Sequence, residues 1–258
     1  MSKIFFIFNF VMPKGFKIAK RLFAKSEDVF GVRIFATENV EQKRFLHASN
    51  VLREYLDNDG DGRADSKKLV RSLRKEKACM TLFEDESELD FFLDKHERTL
   101  EKTGLQFQDL LNDEIILSSD KSSRFDASLE EVFHLISDYG YSQINPRAFG
   151  YRKDSIIGEL MTDARGGHFI KTPKKYPKSA YYTYDDKSCN YECQHSEFIY
   201  WGVTSYLGGQ NEPGRFEEIK QEWKLNASSK IKASAPDLYD FLSNPDLGLP
   251  TVLPDGVI

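Results

Sequence analysis

Residues 192–207 constrain the fold more than any other segment. They read as one helix carrying Phe198, Ile199, Tyr200, Trp201, Val203, Tyr206 and Leu207, apolar nearly all the way round. A helix of that kind is covered on every side, so the rest of the chain must wrap it. Glu197 lies inside the same segment. A buried carboxylate requires a cation, a hydrogen-bond network or a proton, because an isolated charge away from water is very costly. Arg, Lys or a metal ion would each serve.

The chain has 258 residues, enough for one large domain or two small ones. Its 20 Phe and 12 Tyr supply a sizeable core. The net charge is -5 and no long basic stretch occurs, which argues against a nucleic-acid-binding face. No stretch reaches transmembrane length.

In the first half, strand-like runs alternate with helical ones. Residues 29–36 (VFGVRIFA), 78–83 and 114–118 read as strands, rich in β-branched and aromatic side chains. Residues 38–56, 66–74, 87–100 and 128–139 read as helices, the last ended by Gly140. Helices are expected over 155–164, 192–207, 216–225 and 236–242, and the Pro-rich ending 249–256 is expected to lie across the surface. The pattern predicts an α+β fold: a small mixed sheet with backing helices and a mostly helical C-terminal half. Residues 28–258 are read as one domain, preceded by an N-terminal segment, 1–27.

That segment has two readings. Ile4 to Met12 is apolar apart from Asn9 and follows Lys3, as in a degenerate signal peptide, but no small-x-small cleavage site follows. A buried strand is the alternative. Cys189 and Cys193 either close a small disulfide, as in a secreted or extracellular protein, or stay reduced with Cys79, as in the cytoplasm. With His195 they also form a Cys-x-x-x-Cys-x-His group that lacks an obvious fourth metal ligand.

The chemistry concentrates in Glu130-Glu131-Val132-Phe133-His134. On a helix, Glu130 and His134 share one face four residues apart, a spacing that lets two side chains grip one metal ion. Glu131 then stands where a general base would stand. Leu129, Val132, Phe133 and Ile136 form the apolar stripe, so the polar pair faces solvent or a cleft. The same letters also fit a capping box, Ser128-x-x-Glu131, with its acids at the positive end of the helix dipole.

With Glu197 added, the chain resembles the glutamate-type zincins, with Glu in place of the first His of H-E-x-x-H. The resemblance spans about residues 29–209. It implies a zinc metallopeptidase acting on a peptide or protein substrate, with Glu130, His134 and Glu197 as ligands and Glu131 as base. Two carboxylates and one imidazole make a harder, more anionic site that iron or manganese would also suit. Tyr181, Tyr182, Tyr184, His168 and His195 are the candidate oxyanion donors, and Asp138 is a candidate partner for the His134 ring. The runs FDASLEEVFHLISDYGY and YDDKSCNYECQHSEFIYW also resemble uncharacterised proteins, which imply no function.

A second cation is written into Asp57-Asn58-Asp59-Gly60-Asp61-Gly62-Arg63-Ala64-Asp65. Carboxylates at alternate positions with Gly at the sharp turn suit Ca²⁺, with Asp57, Asp59, Asp61 and Asp65 as ligands. Lys68 stands where an EF-hand needs Glu. The loop is therefore a single, structural Ca²⁺ loop or a solvated turn capping the next helix. The enzyme reading thus competes with a non-enzymatic, secreted Ca²⁺-binding protein. The two differ in whether Glu130, His134 and Glu197 converge, or Glu197 pairs with Arg or Lys.

Overall fold

The chain reverses at Phe30-Gly31, so residues 25–36 form a hairpin instead of the single strand expected over 29–36. Phe30 (φ 52°) and Gly31 (φ 91°) both take left-handed backbone, the conformation of a tight two-residue turn whose twist matches paired strands. The turn is hidden in the sequence because an apolar Phe occupies a place usually given to Asn or Gly. These features belong to a computed structural model that describes residues 14–120 and 124–257. The apolar run Ile4–Met12 lies outside the described residues.

Strand β1 (Lys25–Val29) pairs antiparallel with β2 (Val32–Ala36), Lys25 opposite Ala36. Parallel pairing follows, from β2 to β3 (Ala78–Phe83) and from β3 to β4 (Gln106–Leu111), with Ile34 opposite Met80 and Met80 opposite Gln108. The sheet order is β1-β2-β3-β4. Parallel neighbours need crossovers. Helices α2 (Gln42–Leu56) and α3 (Lys67–Glu76) supply the first, and α4 (Glu86–Glu101) the second, with α1 (Lys14–Leu22) preceding the sheet. The fold is α+β around a small mixed sheet.

The last strand is not where the apolar pattern predicts it. Residues 114–118 form no strand; a 3-10 turn (Asn112–Glu114) is followed by irregular chain that buries Ile115. The polar-looking QFQDLL takes the strand's place, because an edge strand needs backbone pairing and little apolar surface.

Both faces of the sheet are covered, which is why every residue of β3 is buried. Phe35, Cys79 and Phe83 pack with Phe16 and Ala19 of α1, Phe23 just beyond it, and Phe92 and Leu100 of α4. On the other face Ile34, Met80 and Leu82 join the larger core with α2, α3 and the helical second half.

That half begins with α5 (Ser128–Ile136), a π turn (Ser137–Tyr141) and α6 (Ser142–Ile144). Gly140 does not end the helix. The backbone continues helically through it, and a side chain there would run into Leu69, so close packing explains the glycine. Helices α7 (Pro146–Phe149) and α8 (Ile156–Arg165) lead to α9 (Tyr191–Tyr206), which is buried almost throughout. The expected helix over 216–225 is cut short. Helix α10 (Arg215–Ile219) stops early, and the buried Trp223 bridges Tyr182 and donates to Ser205 Oγ at 2.8 Å. Helices α11 (Ser228–Ser234) and α12 (Pro236–Leu242) pack against α9. Among the described residues, no helix is long and apolar enough to cross a membrane.

Candidate metal centre

The start of α5 decides where its acids point. The expected capping box does not form. Asp126 holds the entry instead: Oδ1 accepts from Ile116 N (3.1 Å) and Ser128 N (3.2 Å), and Oδ2 accepts from Ser128 Oγ (2.6 Å) and lies 2.7 Å from His47 Nε2. With Ser128 so engaged, Glu131 does not fold back. Its Oε2 accepts from Gln108 Nε2 on β4 at 2.5 Å.

The apolar stripe of α5 is buried as expected, and its polar side faces α9 rather than solvent. Glu130, His134 and Glu197 converge there, one ligand atom from each lying within 4.8 Å of the others. His134 Nε2 is 3.8 Å from Glu197 Oε2, and His134 Nδ1 is 3.7 Å from Glu131 Oε2. Tetrahedral metal bonds of about 2.0–2.1 Å set ligand atoms about 3.3 Å apart, so the three side chains would draw together to hold an ion. His134 Nε2 is buried and has no hydrogen-bond partner. An imidazole nitrogen without a partner, flanked by two carboxylates, is the donor set a divalent ion would use. The residues fit such an ion.

The electrostatics match that geometry. Burial alone would push the His134 imidazole down, but Glu131, Glu197 and Glu130 outweigh it and push it up to about 10. Burial raises the Glu130 and Glu197 carboxyls and His134 opposes it at both, while the charge of Glu131 adds to the rise at Glu130 and that of Glu130 adds to it at Glu197. Glu222 is pushed up to about 7, mainly by burial, while Trp201 Nε1 donates to it at 2.8 Å. The Tyr200 hydroxyl sits beside Glu130 and helps hold it charged.

Of the five candidate oxyanion donors, Tyr184 reaches the site, and its hydroxyl is spent on Glu197 Oε1 at 3.2 Å. Tyr182 donates to Gln194 O (2.6 Å), Tyr181 packs edge-on to Trp223, His168 to Tyr191 and His195 to Tyr151. Asp138 does not orient His134; it accepts from Ser196 Oγ (2.6 Å) and Ser137 Oγ (3.1 Å). Cys189 and Cys193 are joined in a disulfide, so neither is a thiolate ligand beside His195, and Cys79 is buried and free.

Gln108, Tyr200, Glu222 and Arg215 complete the surroundings and were not singled out in the sequence. Tyr200 carried a signal, standing three residues beyond Glu197 on the same helix face. Gln108 comes from an unrecognised strand, Glu222 from the segment expected as one helix over 216–225, and Arg215 from the residue before it.

In the acidic loop, Asp57, Asp59 and Asp61 bring carboxylate oxygens within 4.8 Å of one another. Asp57 accepts from Asp61 N (3.0 Å) and Gly62 N (2.9 Å), and Gly60 and Gly62 take left-handed backbone. Asp65 lies outside this group and accepts from Asn58 N at 2.9 Å.

No family model, no curated protein and no solved structure matches the chain.

Proposed function

We propose that the protein is a metal-dependent hydrolase, a zincin-like metallopeptidase acting on peptide or protein substrates, with Glu130, His134 and Glu197 as ligands. Glu197 carries this reading. Its side chain on α9 is 12% exposed, its ionic partner is His134, and among the described residues no Lys or Arg pairs with it. Glu130, Glu131, Glu197 and Glu222 all act electrostatically on a pocket with one imidazole at its centre. A divalent cation is the charge such a pocket lacks.

Bound there, Zn²⁺, or Fe²⁺ or Mn²⁺ given the two carboxylates, would supply Lewis acidity and lower the pKa of a water. The protein's own groups do the rest. Glu131 faces His134 Nδ1, an arrangement that fixes the ring with Nε2 presented to the ligand group. Gln108 anchors Glu131 Oε2, leaving Oε1 to take a proton and return it to the leaving amine. Tyr184 holds Glu197 in place.

Asp57, Asp59 and Asp61 support a structural Ca²⁺ at the loop between α2 and α3, an all-oxygen group suited to a hard cation. The Cys189–Cys193 disulfide favours an oxidising, extracellular setting.

The deciding experiment is elemental mass spectrometry on protein purified without chelator or affinity tag, wild type against His134→Ala. About one Zn, Fe or Mn per chain, lost in the variant, is expected. Calcium alone, unchanged by the variant, would leave a Ca²⁺-binding protein without a catalytic metal.

A further inference from the structure

The candidate centre opens to solvent beside Glu130. There a cavity of about 290 Å³ is lined by Arg124, Phe125, Ala127, Glu130, Arg215 and Glu218. Glu130 is thus both a candidate ligand and part of the cavity wall, and Arg215 lines the same space.

Arg215 is held as a binding group rather than as a surface cation. Its side chain is 15% exposed. The guanidinium lies over the Phe125 ring, 4.4 Å from its centroid, and 5.7 Å from that of Trp201. Nε donates to Gln210 Oε1 at 2.8 Å, and Gln210 in turn donates to Tyr200 and Thr204. Stacking and this buried amide fix the plane of the fork. Nη1 reaches Glu218 at 3.0 Å, a carboxylate that is half exposed. Such a pair is weak in water, so a carboxylate entering the cavity can replace it. A fixed planar guanidinium matches a carboxylate in geometry as well as charge.

The oxyanion donors expected from the sequence point elsewhere or are already bonded. Arg124 and Arg215 are the cations of the cavity wall; Arg124 is largely exposed, whereas Arg215 is mostly buried and fixed, and its charge is felt at Glu130, Tyr200 and Glu222. We propose that Arg215 is the anion-binding residue of this centre, receiving a carboxylate of the ligand that enters beside Glu130. The substrates are then acyl compounds or peptides with a carboxylate close to the scissile bond. This rests on the metal reading above.

The test uses the full chain loaded with Co²⁺ and titrated with acetate, followed by the visible absorption of the cobalt. Wild type is expected to bind acetate with a spectral change. Arg215→Gln should weaken acetate at least about tenfold with cobalt content unchanged, and Arg215→Lys should fall between, keeping charge but losing the fork. Glu218→Gln removes the internal competitor and should tighten acetate by roughly threefold. If Arg215→Gln fails to fold by circular dichroism, Glu218→Gln decides: tightening supports the proposal and unchanged affinity overturns it. Equal affinity in all four proteins would overturn it and leave the metal reading standing. Cobalt that does not bind, or binds His134→Ala equally well, would sink the metal reading and this inference together.

Discussion

Gln108 of β4 donates to Glu131 of α5 at 2.5 Å, tying the edge of the sheet to the residue that follows Glu130 and faces the His134 ring. The contact fixes one carboxylate oxygen and, in the proposed hydrolase, would leave the other for proton transfer. Glu131→Gln is therefore expected to lower peptide hydrolysis by about 10²–10⁴-fold while metal content and melting temperature hold. Gln108→Ala, which loosens the base without removing it, should cost about tenfold or less in kcat with KM little changed. Steady-state kinetics with metal analysis checks both. Metal lost from Glu131→Gln would make Glu131 a ligand and reverse its assigned role.

Glu130, His134 and Glu197 were legible because helix geometry is local. A four-residue spacing on α5 and a carboxylate in a mostly apolar helix are visible before any packing is known. Their neighbours were not, for physical reasons. Gln108 sits on a strand whose sequence is mostly polar, and its membership of the sheet is set by backbone pairing with β3. Glu222 lies where α10 has already ended, because Trp223 turns in to bridge Tyr182 and bond Ser205. The Ser128-x-x-Glu131 pattern misled because Asp126 captures Ser128 first. The hairpin at Phe30 was missed because a left-handed Phe has no sequence signature.

The metal-free protein should lose stability as pH rises. His134 is raised from 6.5 to about 10, so its contribution is complete below pH 6.5 and lost as pH climbs toward 10. Glu197 is raised above 4.5 by burial; the folded state holds its proton more tightly than the unfolded chain does, so its contribution also falls as pH rises through that window. Both slopes have the same sign. Chelator-treated protein should melt lower at pH 8.5 than at pH 5.5, and stoichiometric zinc should flatten or reverse the trend by replacing those protons. A metal-free melting temperature that rises over this range would show that the cluster is not charged as described.

Calcium should act independently of that centre. At a hundredfold excess over its dissociation constant, one ligand stabilises the native state by about 2.7 kcal/mol, which for a chain of this size is about 5–10 °C. Asp59→Asn should abolish the shift with little effect on the Ca²⁺-free protein, since Asp59 is exposed and bonds chiefly within the loop. Differential scanning fluorimetry with and without Ca²⁺ measures this. An equal shift in wild type and Asp59→Asn would remove Asp59 from the ligand set.

The same loop anchors the end of the chain. Asn58 Oδ1 accepts from Thr251 N (2.7 Å) and Val252 N (2.9 Å), and its Nδ2 donates to Val252 O (2.8 Å) and Glu54 O (3.1 Å). Glu54 Oε2 then accepts from Asp255 N (2.7 Å) and Gly256 N (3.0 Å), and Gly256 packs directly on the His47 ring. The tail lies across the surface as its proline content suggested, and side chains of α2 and the loop beyond it hold it there. At about 0.5–1.5 kcal/mol for each hydrogen bond, with exposure reducing the sum, Asn58→Ala should cost about 2–3 kcal/mol. The tail would then be cut early in limited proteolysis, and Ca²⁺ should slow the cut in wild type by ordering the loop that carries Asn58. A variant with wild-type melting temperature and an uncut tail would show that Glu54 and the Gly256–His47 packing hold the terminus without Asn58.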